Sequence, residues 1–169
     1  MKKIFLTAVM LLVPTFASAS DLISPTSEPQ LYCLAQNIYY EARSSSRADQ
    51  MAVSDVVLNR VKDRRYPSTI CDVVYQGKQK PSWKDPSKKV MVRNMCQFSW
   101  YCDGKKDQPP EGDTWRNAQM VAYEMYYLYK DANITDGATH YHAFYVKPSW
   151  AKKFILKGRV GSHIFYKQK

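Results

Sequence analysis

Glu41 is the residue whose type and position most clearly suggest catalysis. It follows Leu31, Leu34 and Ile38 at helical spacings of three or four residues, so its carboxyl group shares a face with aliphatic side chains. A carboxyl group half-buried beside such neighbours ionises less readily, and a raised pKa lets it keep a proton near neutral pH. The pattern predicts a general acid at Glu41. The competing interpretation is an ordinary Glu at a helix end, paired with Arg43.

A second group of candidate residues lies in the segment 96–102. Polar Gln97 and Ser99 alternate there with aromatic Phe98 and Trp100. Amide and hydroxyl groups can bind the hydroxyl and N-acetyl groups of carbohydrates, and aromatic rings can cover the apolar face of a pyranose. The segment is therefore expected to bind sugars. The alternative is a strand that buries its two aromatic side chains in the core.

The three histidines are candidates for a metal site. His140 and His142 fall on the same side of a predicted strand, and together with His163 or Glu41 they could hold a catalytic zinc ion. However, the sequence lacks the helical His-Glu-x-x-His motif, and no acidic residue stands at a short fixed spacing from the pair. We therefore expect no metal and no other cofactor.

The four cysteines are expected to form two disulfides. An even number of cysteines in a small exported domain is typical of a disulfide framework, and four cysteines allow three pairings. Cys96 and Cys102 are close enough to close one loop, which leaves Cys33 to pair with Cys71. A four-cysteine zinc site is the alternative, but the paired short spacings of such sites are missing.

The first nineteen residues have the features of a signal peptide. Lys2 and Lys3 form a basic start, residues 4–13 an apolar core too short to span a bilayer, and residues 17–19 an Ala-Ser-Ala cleavage site. An uncleaved membrane anchor is the alternative. We expect an exported protein of the periplasm or the extracellular space, without stable membrane insertion after cleavage. A polar lead-in, residues 20–30, would precede one catalytic domain, residues 31–169.

The charge of the chain indicates what it binds. The formal net charge is +10, and removal of Lys2 and Lys3 leaves 23 basic and 15 acidic residues. Such a surface favours a polyanionic partner. Export argues against nucleic acid, so we expect peptidoglycan and other anionic polymers of the cell envelope to be the partners of a monomer. A solvated basic face without a partner is the alternative.

Three helices are predicted around these candidates. Glu41 ends a first helix that begins near Pro29, a residue suited to a first helical turn. Ser46 begins a Ser-x-x-Asp stretch, which predicts a capped second helix over residues 47–62. A third helix over residues 115–130 has apolar and tyrosine side chains around most of its circumference. We therefore expect it to be the central helix.

The remaining segments predict a small amount of β structure. Residues 138–146 and 161–167 alternate as strands do, and residues 69–75 could form a short helix or a strand. Residues 76–89 are rich in Lys, Pro, Ser and Gly and are predicted to be an exposed loop. The expected fold class is α+β, mainly α, in a single domain with a small β element and two disulfides.

Six short motifs occur in a definite order over residues 31–167. They are CLAQNIYYEAR from Cys33, VVLNRV from Val56, YPSTIC from Tyr66, CQFSW from Cys96, GATHYH from Gly137 and GSHIFY from Gly161. This order resembles the bacterial spore cortex-lytic enzymes, also called the cell wall hydrolases, in a Gram-negative or phage-associated form. The resemblance implies a lysozyme-like domain that cleaves the glycan strands of peptidoglycan, and it places the catalytic acid at Glu41.

A single clear acid without an evident second carboxylate resembles the active site of a lytic transglycosylase. Such an enzyme would cut between N-acetylmuramic acid and N-acetylglucosamine with Glu41 as general acid and then base. A hydrolytic muramidase would need a second carboxylate, for which Asp103 is the best candidate. The expected substrate contacts are Tyr40, Arg43, Gln97, Phe98, Ser99, Trp100, Tyr141, His142 and His163. The alternatives are a zinc-dependent N-acetylmuramoyl-L-alanine amidase that uses the histidines, and a non-catalytic wall-binding module.

Overall fold

The structure is a computed structural model that describes residues 28–169. The predicted signal peptide and most of the polar lead-in lie outside the described residues. The helices are α1 (Pro29–Ala42), α2 (Arg47–Lys62), α3 (Ile70–Val74) and α4 (Asp113–Tyr127), and the strands are β1 (Gly77–Pro81), β2 (Lys89–Cys96), β3 (His140–Ala143), β4 (Ile155–Val160) and β5 (His163–Lys167). Within residues 28–169, 3-10 helices cover Ser99–Cys102 and Ser149–Lys153. In this part of the chain, every helix is too short or too polar to cross a membrane.

Helix α1 is the central helix of the domain. It begins with Pro29 in its first turn, as expected, and its Leu34 and Ile38 side chains are fully buried. It contacts α2, α3 and α4. The prediction that the third long helix would be central is wrong, because α4 leaves side chains including Met120 and Tyr123 exposed to solvent. The tyrosines of α4 widen its apolar face, but part of the helix surface remains exposed to solvent.

Helix α2 has the predicted bounds, since its start is determined by a local cap. The Ser46 hydroxyl accepts a hydrogen bond from the Asp49 backbone N–H, at 3.3 Å. Val53, Val56 and Val57 are fully buried. Val57 packs in the main core with α1, while Val56 packs beneath the sheet described next.

An antiparallel sheet with the strand order β3-β5-β4 covers one side of α2. Phe165 of β5 packs there against Ala52 and Val56 of α2. The register pairs His140 with Tyr166 and Tyr141 with Phe165. The two predicted strands are confirmed with shorter bounds, and β4 was not predicted. The sheet carries the GATHYH and GSHIFY motifs side by side.

Strands β1 and β2 form a separate antiparallel hairpin. The prediction of an exposed loop over residues 76–89 is correct for exposure and for residues 82–88, and it is wrong for residues 77–81 and 89, which lie in the two strands. Most side chains of both strands are exposed, so neither strand has the apolar alternation by which a half-buried strand is recognised.

Both disulfides have the expected pairing. Cys33–Cys71 joins α1 to α3, and Cys96–Cys102 joins the end of β2 to the following 3-10 helix. The first therefore holds the helix that carries Glu41, and the second holds the segment that contains Gln97 and Ser99. The mainly helical α+β class with a small β content is confirmed.

Candidate active site

Glu41 lines a cavity where α1, α2, strand β3 and the segment after β2 meet. The other lining residues are Arg60, Gln97, Phe98, Ser99, His140, Tyr141 and Trp150. The structure therefore brings the predicted acid together with four of the predicted substrate contacts, which are Gln97, Phe98, Ser99 and Tyr141. These residues are far apart in the sequence, and the helical core and the β3-β5-β4 sheet place them around one opening.

The surroundings of Glu41 favour its protonated form. Burial raises the pKa of this carboxyl group above its ordinary value. A hydrogen bond from the Tyr141 hydroxyl, at 3.1 Å from Oε2, and the charges of His163 and Arg60 act in the opposite direction without cancelling the effect. The group can therefore hold a proton at a pH where an exposed Glu would have lost it.

A buried Asp–His pair supports Tyr141 from behind. Asp49 is fully buried in the first turn of α2, and its Oδ1 accepts a hydrogen bond from Nδ1 of His163 at 2.7 Å. The His163 ring packs edge-on against the Tyr141 ring, with 5.1 Å between the centroids. Asp49 therefore orients His163, and His163 restricts the tyrosine that donates to Glu41.

Asp49 is held in its ionised form. Burial alone would raise its pKa, but hydrogen bonds from the Ser162 side chain, from His163 and from the Ser162 backbone bring the pKa below its ordinary value. The Ser162 N–H and hydroxyl lie 3.0 and 2.7 Å from Oδ2. An ionised carboxylate can only accept, so the His163 nitrogen that faces it carries the proton.

Gly161 allows the β4–β5 turn to approach Asp49 this closely. Its φ of +53° is in the left-handed region. A Cβ atom at this position would lie 2.7 Å from Oδ2 of Asp49, which is too close for any side chain. A glycine is therefore required here for two independent reasons.

Arg60 is a cavity residue that the sequence analysis did not identify. It is only 4% exposed, its Nε donates to the Thr139 carbonyl at 2.8 Å, and its guanidinium lies over the ring of Phe98. Among the described residues, its Nη1 atom has no hydrogen-bond partner. Because Arg60 lines the cavity, its guanidinium is suited to bind a carbonyl or carboxylate oxygen of a ligand.

His140 and Trp150 are the other cavity residues that the predicted contacts did not include. The His140 ring packs against Trp150 and Phe154. Burial, with smaller effects of Arg60 and Arg65, lowers the pKa of His140 to about 4, so this ring is neutral at neutral pH. No pattern in the sequence identified Trp150 as a site residue.

A second cavity lies beside the first and contains other predicted residues. Tyr40, Arg43, Trp100 and Asp103 line it, and the Tyr40 ring stacks on Trp100 with 4.6 Å between the centroids. The Asp103 carboxylate accepts the Lys105 backbone N–H at 2.8 Å. The structure therefore does not place this candidate second carboxylate in the cavity of Glu41.

Phe98 and Trp100 belong to the core as well as to the cavity walls. Both side chains are buried, and Trp100 donates from its indole nitrogen to Asn37 at 3.3 Å. The alternative interpretation of this segment, which buried its aromatic residues, is therefore correct for packing. The polar residues that alternate with them, Gln97 and Ser99, remain exposed and line the Glu41 cavity.

The three histidines do not converge. The register pairs Ala143 with His163, which places His163 on the sheet face opposite His140 and His142. His163 is buried against Asp49, while His142 stacks on Tyr166 and contacts its hydroxyl at 3.0 Å. Neither residue lines the Glu41 cavity. Residues 28–169 contain no group of three His, Cys, Asp or Glu side chains arranged to hold a metal ion, so the three-histidine zinc site does not fit.

Comparisons with known proteins identify the family. Residues 44–166 match the family described as cell wall hydrolase, a range that begins just after Glu41. No curated protein matches the chain. The chain is similar to the catalytic domain of the germination-specific lytic transglycosylase SleB from Bacillus anthracis, with a TM-score of 0.58, 21% identity, and coverage of 86% of this chain and 100% of that chain.

A second solved structure has the same fold. The catalytic domain of the Bacillus cereus SleB protein matches with a TM-score of 0.55 and 20% identity, over 91% of this chain and 100% of that chain. The structural likenesses support the expected lysozyme-like fold, and the family match agrees with the motif resemblance. The chain belongs to the cell wall hydrolase family.

Proposed function

We propose that this protein is a lytic transglycosylase that cleaves peptidoglycan between N-acetylmuramic acid and N-acetylglucosamine. The observation that supports this most directly is the half-buried Glu41, whose pKa is raised and which lies in a cavity lined by sugar-binding types of side chain. The family of cell wall hydrolases and the fold shared with the SleB lytic transglycosylase domain agree with this assignment.

Glu41 serves both chemical steps in this proposal. Its carboxyl proton is transferred to the bridging oxygen as the bond from muramic acid C1 to that oxygen breaks, and N-acetylglucosamine leaves with a hydroxyl group. The carboxylate then takes the proton of the muramic acid 6-hydroxyl as this oxygen attacks C1. The product has a 1,6-anhydro ring, no water is consumed, and Glu41 ends the cycle protonated.

The lack of a second carboxylate among the described residues that line the cavity supports a transglycosylase over a muramidase. Hydrolysis by either usual stereochemical route requires a second carboxylate near the first. Glu41 is the only acidic residue among those described that line this cavity, and Asp103 lines the neighbouring one. The internal 6-hydroxyl of the substrate removes the need for a group that activates water.

Arg60 and the segment after β2 are proposed to bind the substrate. The guanidinium of Arg60, which lines the cavity, offers a charged donor to a carbonyl or carboxylate of the muramic acid substituents. The Gln97 and Ser99 side chains offer amide and hydroxyl groups to sugar hydroxyls. The cavity that contains Tyr40, Arg43 and Trp100 would receive the next unit of the glycan strand.

The cellular setting follows from the same proposal. Peptidoglycan lies outside the cytoplasm, so the enzyme would act in the periplasm or the extracellular space after removal of residues 1–19. Two disulfides are consistent with such an oxidising compartment. We propose a monomer without a cofactor that binds peptidoglycan and anionic envelope polymers and does not bind nucleic acid.

The products released from purified sacculi test the bond and the reaction type. We expect mass spectrometry to find 1,6-anhydromuramyl ends, each lighter by one water than the reducing end that a muramidase would leave. We also expect lysis to continue in excess chelator. Reducing ends would contradict the transglycosylase. Stem peptides freed from uncut glycan by an enzyme that needs added zinc would instead establish the amidase.

Tyr141→Phe tests the hydrogen bond to Glu41 through the pH dependence of lysis. The first step needs protonated Glu41, so activity should fall as pH rises through the pKa of this group. The Tyr141 hydroxyl stabilises the ionised form and lowers that pKa. Its removal should therefore move the alkaline limb of the kcat/KM profile to higher pH.

A matched tyrosine provides the control for this shift. Tyr145 is exposed and does not line the Glu41 cavity, so Tyr145→Phe should leave the profile unchanged. An alkaline limb that stays in place in Tyr141→Phe, or that moves to lower pH, would show that the hydrogen bond does not act on the catalytic proton.

A further inference from the structure

Half of the formal net charge of this chain is concentrated in one hairpin. The segment from Gly77 to Cys96, here called the basic hairpin, has a single acidic residue, Asp85. Its basic residues are all exposed, and they are Lys78, Lys80, Lys84, Lys88, Lys89 and Arg93. The segment therefore contributes +5 to a chain whose formal net charge is +10. Such a concentration of charge is not explained by solubility alone, which a dispersed charge would serve equally well.

The basic hairpin is attached to the domain near its base. The attachments include the disulfide Cys96–Cys102, the hydrogen bond from the Gln97 N–H to the Gln76 carbonyl, at 2.9 Å, and the hydrogen bond from Arg93 Nε to the Asp103 carbonyl, at 3.1 Å. Most of its side chains beyond this point are exposed on both faces. Strand β1 has five residues, about 16 Å at a rise of roughly 3.3 Å per residue, and it pairs with both ends of β2, whose extra residues form a bulge between Met91 and Cys96. The turn therefore projects from the domain.

The turn of the basic hairpin presents a tryptophan to solvent. Trp83 is 87% exposed, and the Lys84 ammonium group lies 5.3 Å from the centre of its ring. The turn is ordered by hydrogen bonds from the Ser82 N–H to the Lys88 carbonyl and from Ser87 to Asp85. Lysine on an exposed strand discourages edge-to-edge pairing. An exposed indole does not serve that purpose and indicates a partner.

We propose that the basic hairpin binds the surface of an anionic phospholipid bilayer. A projecting apex fits a flat surface, whereas a polymer chain is held in a groove, and the turn places its exposed indole beside the Lys84 ammonium group. Tryptophan prefers the interface between headgroups and acyl chains, and lysines beside it bind anionic headgroups. This attachment is peripheral and needs no membrane-spanning segment.

The position of the basic hairpin gives this attachment a consequence for the active site. Strand β2 leads directly into Gln97 and Ser99, which line the Glu41 cavity. A bilayer at the apex would hold the cavity at a distance set by the hairpin, whose strand β1 spans roughly 16 Å. The binding itself does not depend on the proposed transglycosylase reaction.

Vesicle co-sedimentation tests this proposal with protein purified from the periplasm of an expressing bacterium, so that all variants share one N terminus. The vesicles contain either phosphatidylcholine alone or phosphatidylcholine with about one third phosphatidylglycerol. We expect binding to the anionic vesicles only, and its loss in high salt. A variant with four Lys→Gln substitutions at the apex should bind the anionic vesicles at least about tenfold more weakly than the wild type. The substituted residues are Lys80, Lys84, Lys88 and Lys89.

The matched control removes the same charge from the rest of the surface. It exchanges four of the exposed lysines outside the hairpin for Gln and should weaken binding far less than the apex variant does; these are Lys130, Lys147, Lys152 and Lys153. Trp83→Phe should abolish the blue shift of tryptophan fluorescence that vesicles cause, because the other three tryptophans are Trp100, Trp115 and Trp150 within the domain.

Three results would overturn the proposal. The first is equal weakening by the apex and control variants, which would mean that only net charge matters. The second is an unchanged fluorescence shift in Trp83→Phe. The third is the absence of binding to anionic vesicles together with binding to lipid-free sacculi that requires the apex lysines. In that case the partner is a wall polymer. Vesicles contain no peptidoglycan, so none of these results depends on the role of Glu41.

Discussion

Glu41→Gln is expected to reduce lysis of sacculi by roughly 10²- to 10⁴-fold. The amide keeps the size of the side chain and can still contact the Tyr141 hydroxyl, but it has no proton to give to the leaving oxygen. Turnover is measured by the release of soluble muropeptides. The matched control is Glu111→Gln, since Glu111 is exposed and does not line the Glu41 cavity. Wild-type turnover in Glu41→Gln would contradict the assignment of the acid.

The Glu41→Gln variant should remain folded, and its unfolding free energy should depend on pH differently from that of the wild type. The pKa of Glu41 is raised in the folded protein, so the folded state binds more protons than the unfolded state between the unfolded value, about 4.5, and the folded one. Wild-type stability therefore falls as pH rises through this window. Glu41→Gln lacks this loss. The difference in unfolding free energy between the variant and the wild type should therefore shift in favour of the variant as pH increases.

Removal of the Cys33–Cys71 bridge is expected to have the largest effect on stability. This bridge spans 38 residues and Cys96–Cys102 spans 6. On the chain-entropy model, exchange of each pair for serine should cost about 4 kcal/mol for the longer loop and about 2 kcal/mol for the shorter. Denaturant unfolding of both double variants measures these costs.

Peptide mapping without reduction provides the control for the disulfide experiment, because it verifies the two pairings in the wild-type protein. The order of the two effects is the critical result. A greater loss of unfolding free energy from the short loop than from the long one would contradict the entropic account and would point to contacts of the β2 base instead.

The sequence predicted best those features that a few neighbouring residues determine. Helix α2 has its expected start because the Ser46 hydroxyl and the Asp49 N–H are only three residues apart. The position of Glu41 on a buried face of α1 followed from helical periodicity in the same way. Both disulfides agreed with expectation because one pair was close in sequence and left a single alternative for the other.

Features that depend on distant contacts were missed. Arg60 lines the Glu41 cavity because Thr139 and Phe98 hold its guanidinium, and nothing near it in the sequence shows this. The basic hairpin lacks an apolar face, so no alternation identified its strands. Strand β4 is mostly exposed, and a bulge at Gly158 interrupts its register with β5. Its pairing with β5 was therefore also invisible in the sequence.

The close contact between Gly161 and Asp49 constrains how related sequences can diverge. The space that a Cβ atom would need at position 161 is occupied by the carboxylate of residue 49, although 112 positions separate the two in the chain. A larger residue at 161 must tolerate the left-handed backbone, as Asn does, and it also needs residue 49 to be shortened, in which case His163 loses its acceptor. In an alignment of relatives, we therefore expect these two positions to change together, accompanied by replacement of the histidine.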